Sequence, residues 1–189
     1  MAEFKLQAEP PLAGTDIQMG ETRLTAPKDL AVVAIALPLG GEDKALKAIK
    51  VAYGIALPGP GLSAEAADGS TRLMRTAPDQ ALAIFTRADP DAEKVVAEAL
   101  GDTVYLTDQT DTLCALELSG PGARAALERI CPLDLHPQAF AIGAAARTVM
   151  EHLGVFIART GEDSFLLLSA SSSAGSFLHA VETSLKNTN

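Results

Sequence analysis

Tryptophan is missing from this chain, and its 189 residues include only six Phe and two Tyr. So small a stock of rings is poorly suited to stacking a flavin, a nicotinamide or nucleic-acid bases. Cysteine is almost as scarce: Cys114 and Cys131 cannot form a disulfide framework in a chain this long. One falls in a strand pattern and the other at a helix end, so both read as buried small apolar side chains in preference to reactive thiols. Basic charge is also short. The net charge is -9, with ten Lys/Arg against fourteen Asp/Glu in residues 1–100 and five against ten in 101–189. No basic face is left to neutralise phosphates, which argues against nucleic acid and against anionic membrane surfaces. No uninterrupted apolar run nears the ~20 residues of a membrane span. The start, Met1-Ala2-Glu3-Phe4-Lys5, lacks the basic, then apolar, pattern of a secretory signal. The expected location is the cytoplasm.

What is present is aliphatic. Hydrophobic residues make up 48% of the chain, mostly Ala, Leu and Val. At this length, folding buries roughly 70% of the unfolded surface, enough for a core without staples. Residues 1–29, with Pro10-Pro11, Gly14, Gly20 and Pro27, read as an irregular N-terminal arm. Residues 30–189 read as a single α+β domain in two halves, about 30–110 and 111–189.

In the first half, Ala31 to Leu37 is a buried strand, and Glu42 to Lys50 is a helix with Ala45, Leu46 and Ile49 inward. A loop from Leu57 to Ser70 follows. Thr71–Thr76 and Ala81–Thr86 are strands joined at Ala77-Pro78-Asp79-Gln80. Asp89 and Pro90 open a helix with Ala92, Val95, Val96, Ala99 and Leu100 on one stripe and Gly101 at its end, and Thr103–Thr107 is a strand. The second half repeats the theme. Thr112–Leu118 is a strand with Cys114, Leu116 and Leu118 on one face, and Pro121–Cys131 is a helix with Ala123, Ala126, Leu127 and Ile130 inward. Arg147–Met150, Leu153–Arg159 and Ser164–Ser169 are strands. A closing helix from Ser172 or Ser173 to Lys186 buries Ala174, Phe177, Leu178, Val181 and Leu185. This order gives an α+β fold of two pseudo-repeated split β-α-β (ferredoxin-like) halves with antiparallel sheets.

No constellation carries chemistry; catalytic, cofactor-binding and metal-binding residues are all expected to be none. Gly40-Gly41 lies before a helix, but Glu42 and Asp43 repel an anion there. Gly59-Pro60-Gly61 and Gly120-Pro121-Gly122 each put a proline where a phosphate cradle needs an N–H. The second reads as a helix start. Leu57 to Gly61 reads as a rigid turn, with a partner contact as the other reading. His136, His152 and His179 have no ligand-like spacing. Asp108 and Asp111, bracketing Gln109-Thr110, can cap a turn or, if buried, do acid-base work; capping is favoured because no nucleophile or histidine lies beside them. Ser171-Ser172-Ser173 reads as a helix cap.

Taken together and in order, several of these segments resemble the gamma subunit of heterotetrameric sarcosine oxidase. They are Leu57-Pro58-Gly59-Pro60-Gly61, Thr76-Ala77-Pro78-Asp79-Gln80-Ala81-Leu82, Thr107-Asp108-Gln109-Thr110-Asp111 and Leu118-Ser119-Gly120-Pro121-Gly122-Ala123. Leu133-Asp134-Leu135, Arg147-Thr148 and Phe165-Leu166-Leu167 continue the pattern, which covers about residues 30–185. The chain departs from the family around Leu73-Met74, where an aromatic is usual, and at Ala170, where an arginine often precedes the serine. The resemblance implies the folate-binding fold of the glycine-cleavage aminomethyltransferase. It implies a non-catalytic structural subunit of an alpha-beta-gamma-delta complex that demethylates sarcosine to glycine, with tetrahydrofolate as the one-carbon acceptor. FAD, FMN, NAD and zinc are expected in the other subunits and the alpha subunit is the expected neighbour, reached through the N-terminal arm and the Leu57–Ser70 loop. Two rivals stand beside this reading. One is a folate-dependent aminomethyltransferase-like protein, for which Asp108 and Asp111 are the available acids; the other is a free-standing small-molecule-binding module.

Overall fold

The computed structural model describes residues 9–87 and 91–188. Four layers stack as helices, sheet, sheet, helices. The strands are β1 (Asp16–Met19), β2 (Thr22–Thr25), β3 (Leu30–Ala36), β4 (Ser63–Glu65), β5 (Thr71–Ala77), β6 (Gln80–Thr86), β7 (Tyr105–Asp108), β8 (Leu113–Ser119), β9 (Ala145–Met150), β10 (Leu153–Gly161) and β11 (Ser164–Ala170). The helices are α1 (Glu42–Tyr53), α2 (Ala92–Leu100), α3 (Ala123–Glu128) and α4 (Ala174–Lys186).

The two sheets have the same plan. One runs β4-β5-β6-β3-β7 and the other β9-β10-β11-β8-β2-β1, every neighbouring pair antiparallel. Since β3 and β5 both run antiparallel to the β6 between them, they are mutually parallel and joined through α1: a split β-α-β unit. Strands β8, β11 and β10 repeat it. The fold is α+β with antiparallel sheets, as its element order implies.

Three cores hold the layers. Helices α1 and α2 cover one sheet through Ala45, Ile49, Ala92, Val96 and Leu100. Helices α3 and α4 cover the other through Ala126, Leu127, Phe177, Val181 and Leu185. Between the sheets lie Val32, Met74, Leu82, Ile84, Leu166 and Leu168. Strands β6 and β11 are therefore buried on both faces, which is why Ala81–Phe85 and Phe165–Leu168 are unbroken apolar runs instead of alternating ones.

Several elements differ from the sequence reading. Residues 1–29 are not an irregular arm throughout. Residues 1–8 lie outside the described residues, but β1 and β2 form a hairpin within 16–25, and Leu12 and Leu24 are buried in the α3–α4 core. β2 adds to β8, the counterpart of the place that β7 takes beside β3. The Leu57–Ser70 loop contains the short strand β4, paired with β5. Helix α3 runs Ala123–Glu128, shorter at both ends than the Pro121–Cys131 expected, and the Gly122 N–H at its start donates to Thr22 instead. On α2, Val95 and Ala99 face solvent; its contacts recur every four residues at Ala92, Val96 and Leu100. The expected cap at Asp89-Pro90 lies outside the described residues.

Candidate functional site

The motif Gly120-Pro121-Gly122 docks the N-terminal hairpin. Gly120 has φ 107°, and a Cβ there would stand 2.3 Å from the Glu21 carbonyl oxygen. The Gly122 N–H donates to Thr22 Oγ1 at 2.9 Å, and Thr22 is almost fully buried. Small residues are needed here because another strand turn lies against them, not because a phosphate does.

The Asp108–Thr112 connector is equally committed to structure. Asp108 Oδ1 accepts the Thr110 N–H at 2.9 Å, an Asx turn. Thr110 Oγ1 accepts the Val32 N–H at 3.2 Å, while the Gln109 N–H donates to the Val32 carbonyl at 2.8 Å. The Thr112 hydroxyl donates to the Gln109 carbonyl at 2.9 Å. Asp108 and Asp111 are both exposed. Capping is thus the observed role of Asp108, and Asp111 borders a cavity.

That cavity, about 580 Å³, lies where the sheets part on the side away from β4 and β9. Asp29, Val32, Arg87, Asp111, Cys114 and Leu168 are among its walls. Arg87 Nη1 is buried without a hydrogen-bond partner. Burial pushes the Cys114 thiol above its ordinary value, which makes it a weak nucleophile. Asp29 sits at φ 52° and its carbonyl accepts the Arg87 N–H at 2.9 Å. Among the described residues, the arrangement offers one cation, Arg87, and three acids, Glu9, Asp29 and Asp111, around an apolar floor. It pairs no nucleophile with a general base.

At the opposite side the sandwich is closed. The Ser63 N–H donates to the Gly143 carbonyl at 2.7 Å and the Ala145 N–H to the Gly61 carbonyl at 2.8 Å. Arg75 holds the Pro58 carbonyl through Nη1 at 3.3 Å and the Pro78 carbonyl through Nη2. The Leu57–Gly61 turn is therefore fixed from within. Leu62 and Ile142 nevertheless stand outside it, 47% and 61% exposed, beside exposed Pro60.

The other candidates are dispersed. Gly40-Gly41 is a turn before α1, with Leu39 fully exposed. His136 Nδ1 accepts the Gln138 N–H at 3.3 Å, His152 is in the β9–β10 turn and His179 is on α4. Ser171–Ser173 form one 3-10 turn before α4. Cys114 and Cys131 are buried and unlinked. Among the described residues no group of three His, Cys, Asp or Glu is placed to hold a metal, and no helix is long and apolar enough to cross a membrane. Sequence reasoning passed over Arg75, Arg87 and Arg159. Arg159 is 4% exposed and donates to the main-chain carbonyls of Phe140, Gly161 and Glu162; only its place in an otherwise apolar strand hinted at it.

A model of the sarcosine oxidase, gamma subunit family matches residues 40–184. The sarcosine oxidase subunit gamma of an Arthrobacter species is 38% identical over 122 residues, covering 64% of this chain and 60% of the relative. That of Corynebacterium sp. strain P-1 is 38% identical over 123 residues, with the same two shares. The chain thus spans about 60% of the length of these curated relatives. Among solved structures, a heterotetrameric sarcosine oxidase from Corynebacterium sp. U-96, in complex with pyrrole 2-carboxylate, superposes with a TM-score of 0.80. It is 22% identical and the match covers 96% of each chain. The glycine cleavage system aminomethyltransferase T from Bartonella henselae gives 0.64 at 18% identity, over 85% of this chain and 45% of that one. Both likenesses show the fold.

Proposed function

The chain belongs to the sarcosine oxidase gamma subunit family, and from that premise we propose that it is a non-catalytic structural subunit of a heterotetrameric sarcosine oxidase. In this reading the complex works in the cytoplasm and demethylates sarcosine to glycine, with tetrahydrofolate taking up the one-carbon unit. FAD, FMN, NAD and zinc are held by the other chains. This chain packs against the alpha subunit.

The observation that carries the reading is the family match across residues 40–184. The side chains are consistent with it. Asp108, Thr110 and Thr112 are taken up in tying β7 to β3, and Gly120 and Gly122 in seating the hairpin. In this reading the partner surface lies at the closed side, supported by exposed Leu62, Ile142 and Pro60 over a base tied by main-chain hydrogen bonds. A preformed apolar contact loses little freedom on binding. The N-terminal hairpin belongs mainly to the fold and contributes less to docking than its sequence suggests.

Calorimetry of the isolated chain with tetrahydrofolate separates this from the aminomethyltransferase-like alternative. No heat of binding is expected. Tight, saturable binding by the chain alone would contradict a purely structural role.

A further inference from the structure

A second concavity, of about 570 Å³, lies on the helical face of the second half, remote from the seam between the sheets. Its volume is that of a small-ligand site. Helix α4 forms one wall with His179 and Asn187, and Arg129, just past α3, forms another. The β9–β10 turn closes it with Glu151 and His152. Half-buried Ile130, Leu153 and Ala180 make an apolar base.

Basic side chains gather here on an acidic molecule. Among the described residues of this chain of net charge -9, a guanidinium and two imidazoles border one groove beside a single side-chain carboxylate, Glu151. Among the described residues, none of these three basic groups takes part in an ion pair. The wall that carries His152 is held firmly. Glu151 is kept at φ 51°, a left-handed conformation costly for a residue with a Cβ, and its N–H donates to the Ile130 carbonyl at 3.1 Å. That bond fixes the turn against the end of α3.

We propose that this groove binds a small organic carboxylate, its charged end meeting Arg129, His152 and His179 and its apolar body resting on Ile130, Leu153 and Ala180. A carboxylate suits a guanidinium by planar, two-point hydrogen bonding, and imidazole N–H groups add donors. The apolar base selects against inorganic anions, which have nothing to bury there.

Histidine ring NMR of the full-length chain tests this directly, because the chain has three histidines and His136 lies outside the groove. The probe is hexanoate; hexanol and inorganic phosphate are the comparison probes. Saturable shifts of His152 and His179, with His136 still and little response to either comparison probe, are expected. Arg129→Gln should weaken hexanoate by about fivefold, and Glu151→Gln should tighten it by about threefold, as removal of one attraction and one repulsion predicts. Unchanged melting temperatures would show both variants folded. No saturable shift, equal shifts at all three rings, or affinity indifferent to both substitutions would each overturn the proposal.

Discussion

At Gly120 the Glu21 carbonyl stands where a side chain would begin, and the backbone is already at φ 107°. Gly120→Ala is expected to cost roughly 2–4 kcal/mol, from left-handed strain plus displacement of the hairpin; chemical denaturation measures it. Arg159 gives a different test. Its guanidinium is buried among three main-chain carbonyls and lies 6.0 Å from the Phe165 ring centroid. Arg159→Met leaves those carbonyls unpaired and should cost about 2–4 kcal/mol, and Arg159→Lys should fail to rescue it because an ammonium cannot reproduce the fork of donors. Tyr53 reports on pH. Burial pushes its phenol from the ordinary 10.0 up to about 12. The folded value lies above the unfolded one, so the neutral ring's contribution is fully present below pH 10 and is lost as pH rises toward about 12. In a Tyr105→Phe variant, phenolate absorbance then follows Tyr53 alone, and its late ionisation should coincide with loss of alkaline stability.

The β1–β2 hairpin shows how a short element gains its stability from elsewhere. Each strand has four residues, and Arg23 pairs with Asp16 at 2.8 Å on an exposed face, a contact of little energetic weight. Leu24, fully buried against α3 and α4, is what anchors it. Leu24→Ala should lower stability by about 2–5 kcal/mol. Deleting residues 1–29 should therefore lower the melting temperature of the isolated chain before any question of assembly arises. This dependence was not visible in the sequence, because two four-residue strands among Pro, Gly and Thr have no period long enough to register, and their burial comes from pairing with β8, far along the chain. Longer elements were legible. The β5–β6 pair, β8, β10, β11 and α4 each sustain their pattern across at least seven residues, and the turn chemistry of Pro78-Asp79 and Asp108 could be read from the side chains themselves. Buried arginines could not. Its strand position hints at Arg159, but its partner Phe140 lies 19 residues away in the chain, and no local pattern announces that contact.

For the whole molecule, the two sheets bury their facing sides on each other and their outer sides under helices, so apolar surface left exposed stands out. Leu62 and Ile142 are two such side chains, on segments tied together by main-chain hydrogen bonds. A Leu62→Asp, Ile142→Asp double variant should keep its melting temperature within a few degrees, since both side chains already face water, yet weaken partner binding at least about tenfold by burying charge at the contact. The most direct measurement of the central claim is purification of the tagged chain from its native host, with subunit stoichiometry and flavin absorbance read on the same sample. The account predicts co-elution with flavin-bearing partner chains in fixed ratio, sarcosine turnover residing in that complex and absent from the chain alone. Elution of the chain by itself, or turnover by it without companions, would contradict the account.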